Sequence, residues 1–118
     1  MSTNDRPDLE QLTEAVIAFR DARDWKQFHN AKDVAISLSL EASELLEIFQ
    51  WAGNADETVQ ARRSEIEDEL ADVFYWLLLM SHDWQIDLRA ALVRKLEQNE
   101  QKYPVSKARG SARKYDSL

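Results

Sequence analysis

Cysteine is absent from this chain of 118 residues, so neither a disulfide framework nor a thiolate metal site exists. Glycine and proline occur twice each, and both prolines, Pro7 and Pro104, lie near the ends. A chain so poor in breakers, and rich in Ala, Leu, Glu, Gln, Lys and Arg, predicts an all-α protein. No long hydrophobic run is present. The most extended one, Val73 to Met80, falls well below the roughly 18 residues a membrane span requires. Met1 to Asp8 is polar and lacks the apolar core of a signal peptide. These readings predict a cytoplasmic protein with no membrane partner. A formal charge of −7 argues against a general nucleic-acid binder, which normally shows a basic face. Histidine is also scarce. Lys26 precedes His29 by three residues and Leu79 precedes His82, so no Glu-x-x-His pair exists and a di-iron carboxylate site is disfavoured.

Against that background two acidic pairs stand out, Glu41-Ala-Ser-Glu44 and Glu69-Leu-Ala-Asp72, each embedded in an apolar segment. Residues three apart on a helix lie on one face, so each pair aims two carboxylates in one direction. Burying a carboxylate costs several kcal/mol unless something compensates it. A divalent cation is one such compensation, and oxygen-only ligands point to a hard ion, Mg²⁺ with Mn²⁺ as the alternative. The competing reading makes these acids solvated residues beside unrelated apolar stripes.

The periodicity predicts four helices joined by short connectors, a four-helix bundle-like subunit. Helix one spans about 7 to 23, with Pro7 in the first turn and Leu9, Leu12, Val16 and Phe19 as its stripe. A connector follows from Asp24 to Asn30. Helix two starts at the cap Asp33 and ends at Ala52 before Gly53, burying Val34, Leu38, Leu45, Phe49 and Ala52. Asn54 to Asp56 forms a capping cluster for one continuous helix from Glu57 to His82. Helix four begins at the cap Asp87 and stops before Pro104. Residues 1–104 form the helical domain and 105–118 a basic tail, in which Lys107, Arg109, Arg113 and Lys114 face Asp116 alone. Such a tail is either a disordered solubilising end or an arm toward an anionic ligand. Val73 to Met80 is apolar all round, more than a lone bundle buries, which predicts a homo-oligomer.

Other residues carry chemistry that the spacing leaves open. Glu47, one step beyond Glu44, suits orienting or deprotonating an attacking water, or supporting a metal ligand, or is an ordinary exposed glutamate. Trp25 and Trp51 sit at helix ends. Two such aromatics can sandwich a nucleobase whose edge His29 reads, though ordinary packing also accounts for each. Trp76 reads as core or interface. Lys95, Asn99 and Lys102 share one helix face, followed by Tyr103, an arrangement suited to phosphate and sugar or to plain solvent exposure.

Taken together, five segments resemble the all-α nucleoside triphosphate pyrophosphohydrolases of the MazG-like superfamily, and within it the dCTP pyrophosphatase type. They are Asp24-Trp-Lys-Gln-Phe-His29, Leu40-Glu-Ala-Ser-Glu-Leu-Leu-Glu-Ile-Phe-Gln-Trp51, Asp68-Glu-Leu-Ala-Asp-Val73, Asn99-Glu-Gln-Lys-Tyr-Pro104 and Lys107-Ala-Arg-Gly-Ser-Ala-Arg-Lys-Tyr115. The resemblance implies Mg²⁺-dependent hydrolysis of a (deoxy)nucleoside triphosphate to monophosphate and pyrophosphate by a homodimer or homotetramer. It implies metal ligation by Glu41, Glu44, Glu69 and Asp72, and a base pocket lined by Trp25, His29 and Trp51. Phosphate or sugar contacts fall to Lys95, Asn99, Lys102 and Tyr103, and Glu41, Glu44 and Glu47 form the catalytic set. Two departures stand out: Leu40 and Ser43 occupy positions where the family often has glycine, and Ala31 and Asp33 replace its proline and asparagine after the histidine. Asp33 therefore bears on base or sugar recognition. Two other readings remain, a dUTP-type hydrolase of the same superfamily and a non-catalytic acidic helical module. Substrate preference separates the first. Tolerance of Glu44→Ala or Asp72→Ala would mark the second.

Overall fold

The computed structural model describes residues 6–118, and every regular element among them is helical. In chain order these are α1 (Leu9–Asp21), a 3₁₀ turn (Lys26–Phe28), α2 (Ala31–Phe49), α3 (Ala55–Ala61), α4 (Arg63–Asp83), α5 (Leu88–Lys102), α6 (Val105–Ala108) and a second 3₁₀ turn (Tyr115–Ser117). No described helix is long and apolar enough to cross a membrane. The chain divides into two compact units, one ending at Gln85 and one running Ile86–Leu118.

Short polar side chains set the starts of the helices by accepting the free backbone N–H groups of the first turn. Asp8 caps α1 in a reciprocal box: its carboxylate accepts from Gln11 N at 2.8 Å, and Gln11 Oε1 accepts from Asp8 N at 2.9 Å. Pro7 therefore lies ahead of the cap instead of inside the first turn. The cap of α2 is Asn30, whose Oδ1 accepts from Asp33 N at 2.9 Å. Asp33, expected as the cap, sits in the first turn and accepts from Asn30 Nδ2. The correction has a simple cause, since Asn and Asp cap about equally well and only the chain direction out of the 3₁₀ turn chooses between them. Asp87 caps α5 as the sequence predicts, and within the expected capping cluster it is Asn54 that caps α3, so this helix starts at Ala55, two residues earlier than expected.

The single helix expected from Glu57 to His82 is in fact two. Arg62, at φ −121° and ψ 32°, leaves the helical region and separates α3 from α4. No glycine or proline marks this break. Its stabilising contacts are one local and one tertiary: the Arg62 guanidinium ion-pairs with Glu65 three residues on, and donates to Ile48 O, a carbonyl in the last turn of α2. Helix α2 ends at Phe49, earlier than the Ala52 expected from its stripe.

In the first unit α2 packs along α4, α1 lies against α4, and α3 touches both α2 and α4. Val34, Ile48, Leu78 and Leu79 form the buried core. Arg20 is buried too, at 1% exposure, with Nη1 2.5 Å from Asp83 Oδ2 and Nε 3.1 Å from Asp21. This pair ties the end of α1 to the end of α4. In the second unit α5 is followed by a tail that is ordered, not extended. Tyr115 packs edge-on to Tyr103 at 6.1 Å, and Lys102 Nζ lies 4.9 Å above the Tyr115 ring.

Candidate metal centre and active site

The lengthwise packing of α2 on α4 brings the two acidic pairs together. Carboxylate oxygens of Glu41, Glu69 and Asp72 all lie within 4.8 Å of one another. Glu44, one turn along α2 from Glu41, adds its charge and a hydrogen-bonding interaction to the titration of both Glu41 and Glu69. Asp72 is exposed, while Glu41 and Glu69 are half-buried, and one oxygen of each, Oε2, is enclosed without any hydrogen-bond partner. Buried carboxylate oxygens in native proteins are nearly always paired. Two orphans aimed into one acidic cluster are what a cation-binding site looks like from its protein side.

The electrostatics agree. Burial, a hydrogen bond with Glu44, and the charges of Glu44, Asp72 and Glu69 push the Glu41 carboxyl up to about 7. Burial, followed by Glu44 and the charges of Asp72 and Asp68, raises Glu69 in the same way. Without a counter-ion the cluster resists full ionisation, and a divalent cation reverses that penalty. Four carboxylates and no nitrogen or sulfur donor fit a hard ion such as Mg²⁺ or Mn²⁺.

Two cavities adjoin the cluster. The first, of about 480 Å³, is walled by Leu12, Val16, Phe19, Trp25, Tyr75 and Trp76, with Glu41 and Asp72 as its only charged lining. Its aromatics interlock edge-to-face: Phe19 with Trp25 at 5.8 Å, Phe19 with Tyr75 at 6.2 Å, and Tyr75 with Trp76 at 5.1 Å. The second, of about 460 Å³, is polar and carries Glu44, Glu47, Arg62, Glu65, Asp68 and Glu69. The acids thus join an apolar, aromatic chamber to a strongly charged one.

The other residues singled out from sequence are scattered over several places. Trp25 lines the aromatic chamber, and Glu47 the acidic one. His29 packs edge-on to Trp76 at 5.3 Å. Its Nδ1 is buried without a partner, and burial plus the Arg20 charge, against Asp83, lowers its pKa and keeps the ring neutral. His29 touches the aromatic cavity only through Trp76 and lines neither cavity, and Trp51, 89% exposed just past α2, lines neither as well. Lys95, Asn99, Lys102 and Tyr103 belong to the second unit, where the first three share a face of α5 at four- and three-residue spacing. Sequence reasoning placed Phe19 in a helix stripe and Tyr75 in an apolar run, without a role at the site. Asp68 opens one of the family-like segments without a role of its own, and nothing in the local spacing marks Arg62. Only the approach of α1 to α4 and the break at Arg62 bring these four to the cavities, and neither is encoded in local spacing.

Fold and site define a class first: an all-helical protein with a carboxylate cation centre beside an aromatic pocket. The MazG-like family model matches residues 36–118, which include both acidic pairs. The chain belongs to the MazG-like family. It is 36% identical over 121 residues to dCTP pyrophosphatase 1 of Rattus norvegicus, covering 99% of this chain and 71% of that protein. Against dCTP pyrophosphatase 1 of Homo sapiens the identity is 33%, with 99% and 71% covered. The crystal structure of a pyrophosphatase from Archaeoglobus fulgidus superposes with a TM-score of 0.79 at 39% identity, covering 88% of this chain and 99% of that one. The resemblance read from the ordered motifs therefore holds.

Proposed function

We propose that this protein hydrolyses (deoxy)nucleoside triphosphates, with dCTP or a modified dCTP as the preferred substrate, to the monophosphate and pyrophosphate. It does so as part of cytoplasmic nucleotide-pool sanitation. The observation that carries this reading is the convergence of Glu41, Glu69 and Asp72 within 4.8 Å, with two buried, unpartnered carboxylate oxygens, at the mouth of an aromatic chamber. The names of the relatives, dCTP pyrophosphatase 1, support the substrate class.

Glu41, Glu44, Glu69 and Asp72 would hold Mg²⁺, or Mn²⁺ in its place. When bound, such an ion screens the phosphate charge and lowers the pKa of a coordinated water. The chain's own groups do the rest. Trp25, with Phe19, Tyr75 and Trp76, offers flat apolar walls against which a base stacks. Neutral His29 has a ring nitrogen free to hydrogen-bond a base edge. Glu47, exposed on the acidic cavity, orients or deprotonates the attacking water. Lys95, Asn99, Lys102 and Tyr103 contact phosphates or sugar, and Trp51 contributes to the base pocket only across a neighbouring subunit or after movement, being 89% exposed in this chain. The working form is a homodimer or homotetramer, a reading supported by the exposed apolar stripe on α4.

Pyrophosphate release from a panel of NTPs, dNTPs, dUTP and 5-modified dCTPs, with Mg²⁺ and with EDTA, tests this directly. Metal-dependent release from dCTP or a modified dCTP is the expected result. Release from dUTP alone would reassign the substrate, and silence across the panel from a folded protein would overturn the reaction itself.

A further inference from the structure

Charge is divided unequally between the two units. Ile86–Leu118 holds eight Lys and Arg against four Asp and Glu, a side-chain balance of +4, within a chain whose formal net charge is −7. The remainder of the chain therefore carries −11. Among the described residues, none of the cations at 102, 107, 109, 113 and 114 lies within ion-pair distance of a carboxylate. Three of them converge. Lys102 and Lys107 line a cavity of about 430 Å³, and Lys107 and Arg113 line a neighbouring one of about 650 Å³. No Asp or Glu side chain lines either, and Leu118, the last residue of the sequence, lines both.

The backbone is shaped to hold this arrangement. Pro104 stops α5, α6 makes one turn, and Gly110 at φ 75° reverses the chain in a conformation that L side chains rarely adopt. Ser111 then fixes the return: its N donates to Ala108 O and its Oγ accepts from Arg113 N. Tyr115 closes the loop on Tyr103 and places its ring under the Lys102 ammonium. The ring orients Lys102 without neutralising it, since a cation over an aromatic face keeps its charge.

We propose that this second unit is itself a binding site for condensed phosphate, either pyrophosphate or the polyphosphate chain of a nucleotide, with Lys102, Lys107 and Arg113 as ligands and Tyr115 as positioning residue for Lys102. Three cations around two adjoining cavities match the length and charge of linked phosphoryl groups better than a single phosphate, and a guanidinium adds a planar fork for two oxygens. The proposal deepens the pyrophosphohydrolase reading, because that reaction supplies both ligands. The binding itself rests on this unit alone.

Calorimetric titration of pyrophosphate into the full chain in EDTA tests it, because without a cation the acidic cluster repels the ligand. Saturable binding is expected, weakened about tenfold or more in Lys107→Gln/Arg113→Gln, since that variant removes two charge-assisted contacts at once. Tyr115→Leu should also weaken binding while Tyr115→Phe keeps it, a split that follows the ring face and not the hydroxyl. Circular dichroism confirms that each variant retains its helix. Absence of saturable binding, or equal affinity in the double variant, overturns the proposal. So does displacement of pyrophosphate by single-stranded DNA at matched phosphate concentration, whereas dCTP competing with pyrophosphate for the same site assigns it to the polyphosphate chain of a nucleotide. Loss of turnover with pyrophosphate binding intact would count against the reaction and leave this site standing.

Discussion

Glu41 shows how one side chain reports on the whole site. Its carboxyl, raised to about 7 by burial, Glu44 and the neighbouring charges, keeps its proton in the metal-free folded protein well above the ordinary carboxylate range. The unfolded chain releases that proton at lower pH. Stability from this group is therefore fully present below the ordinary carboxylate pKa and is lost as pH rises through about 7. In EDTA the melting temperature should fall from about pH 5 to about pH 8, and Glu41→Gln should flatten the slope. Mg²⁺ should restore stability most at the alkaline end, because binding requires the ionised form. A slope unchanged by Glu41→Gln would refute the assignment. Glu44→Ala and Asp72→Ala should each lower turnover by about a hundredfold or more while the metal-free fold is kept or strengthened, since each removes like-charge repulsion. If both variants unfold, the acids are structural. Glu47→Gln separates roles further: a base or water-orienting group predicts kcat down by about a hundredfold with the Mg²⁺ dependence unmoved. A residue at this scale is legible when its chemistry is written in spacing. Glu41, Glu44, Glu69 and Asp72 stood out because acids at three-residue intervals are costly inside apolar helices. Phe19 and Tyr75 did not, because an aromatic in a helix stripe looks the same whether it meets a core or a pocket.

At the scale of elements, caps and stripes located the helices, and tertiary contacts decided where they break. Asp87 and Asn54 were readable because a short polar residue precedes each helix. The Arg62 break was not, because its compensation comes from Ile48 O, distant in sequence. The Arg20–Asp83 pair belongs to the same class of feature. Nothing local marks Arg20 in α1 as a buried cation, yet it is 1% exposed and its partner side chain 7%. Removing Asp83 leaves the buried Arg20 guanidinium with only the half-exposed Asp21 as partner, so Asp83→Ala should cost about 3 kcal/mol by urea denaturation, against well under half that for Asp21→Ala at the exposed end of the same network. Burial alone would raise Asp83, but the hydrogen bonds and charges of Arg20 and His82 hold it below the ordinary range. Its contribution is therefore present above the ordinary carboxylate pKa and lost as pH falls through the depressed value. That acid-side slope is opposite in sign to the Glu41 slope and lies at lower pH, so one melting series across pH resolves both.

For the molecule as a whole, the sequence already showed that the second half of α4 has more apolar surface than one subunit can cover. In the structure Leu78 and Leu79 point into the core, while Leu70, Phe74 and Leu77 form a stripe on another face, 51%, 39% and 38% exposed. On α2, Ile36 and Leu40 add a second exposed apolar pair at helical spacing, 46% and 58% exposed. Two exposed apolar stripes of this kind on a small acidic protein are unusual unless another surface meets them. A second copy of the same chain supplies a complementary face by symmetry, and a stable interface of this type buries about 800 Å² per partner. Light scattering at micromolar concentration should therefore give a mass of at least twice the 13.7 kDa of one chain. Phe74→Glu should return it toward a single chain, since a charge inside a dry interface cannot be solvated. Because Phe74 is partly packed, Leu70→Lys at the more exposed end of the stripe gives an independent check with less risk to the fold. A wild-type mass of 13.7 kDa would remove the need for a partner, and this stripe would then have to be read as simple surface.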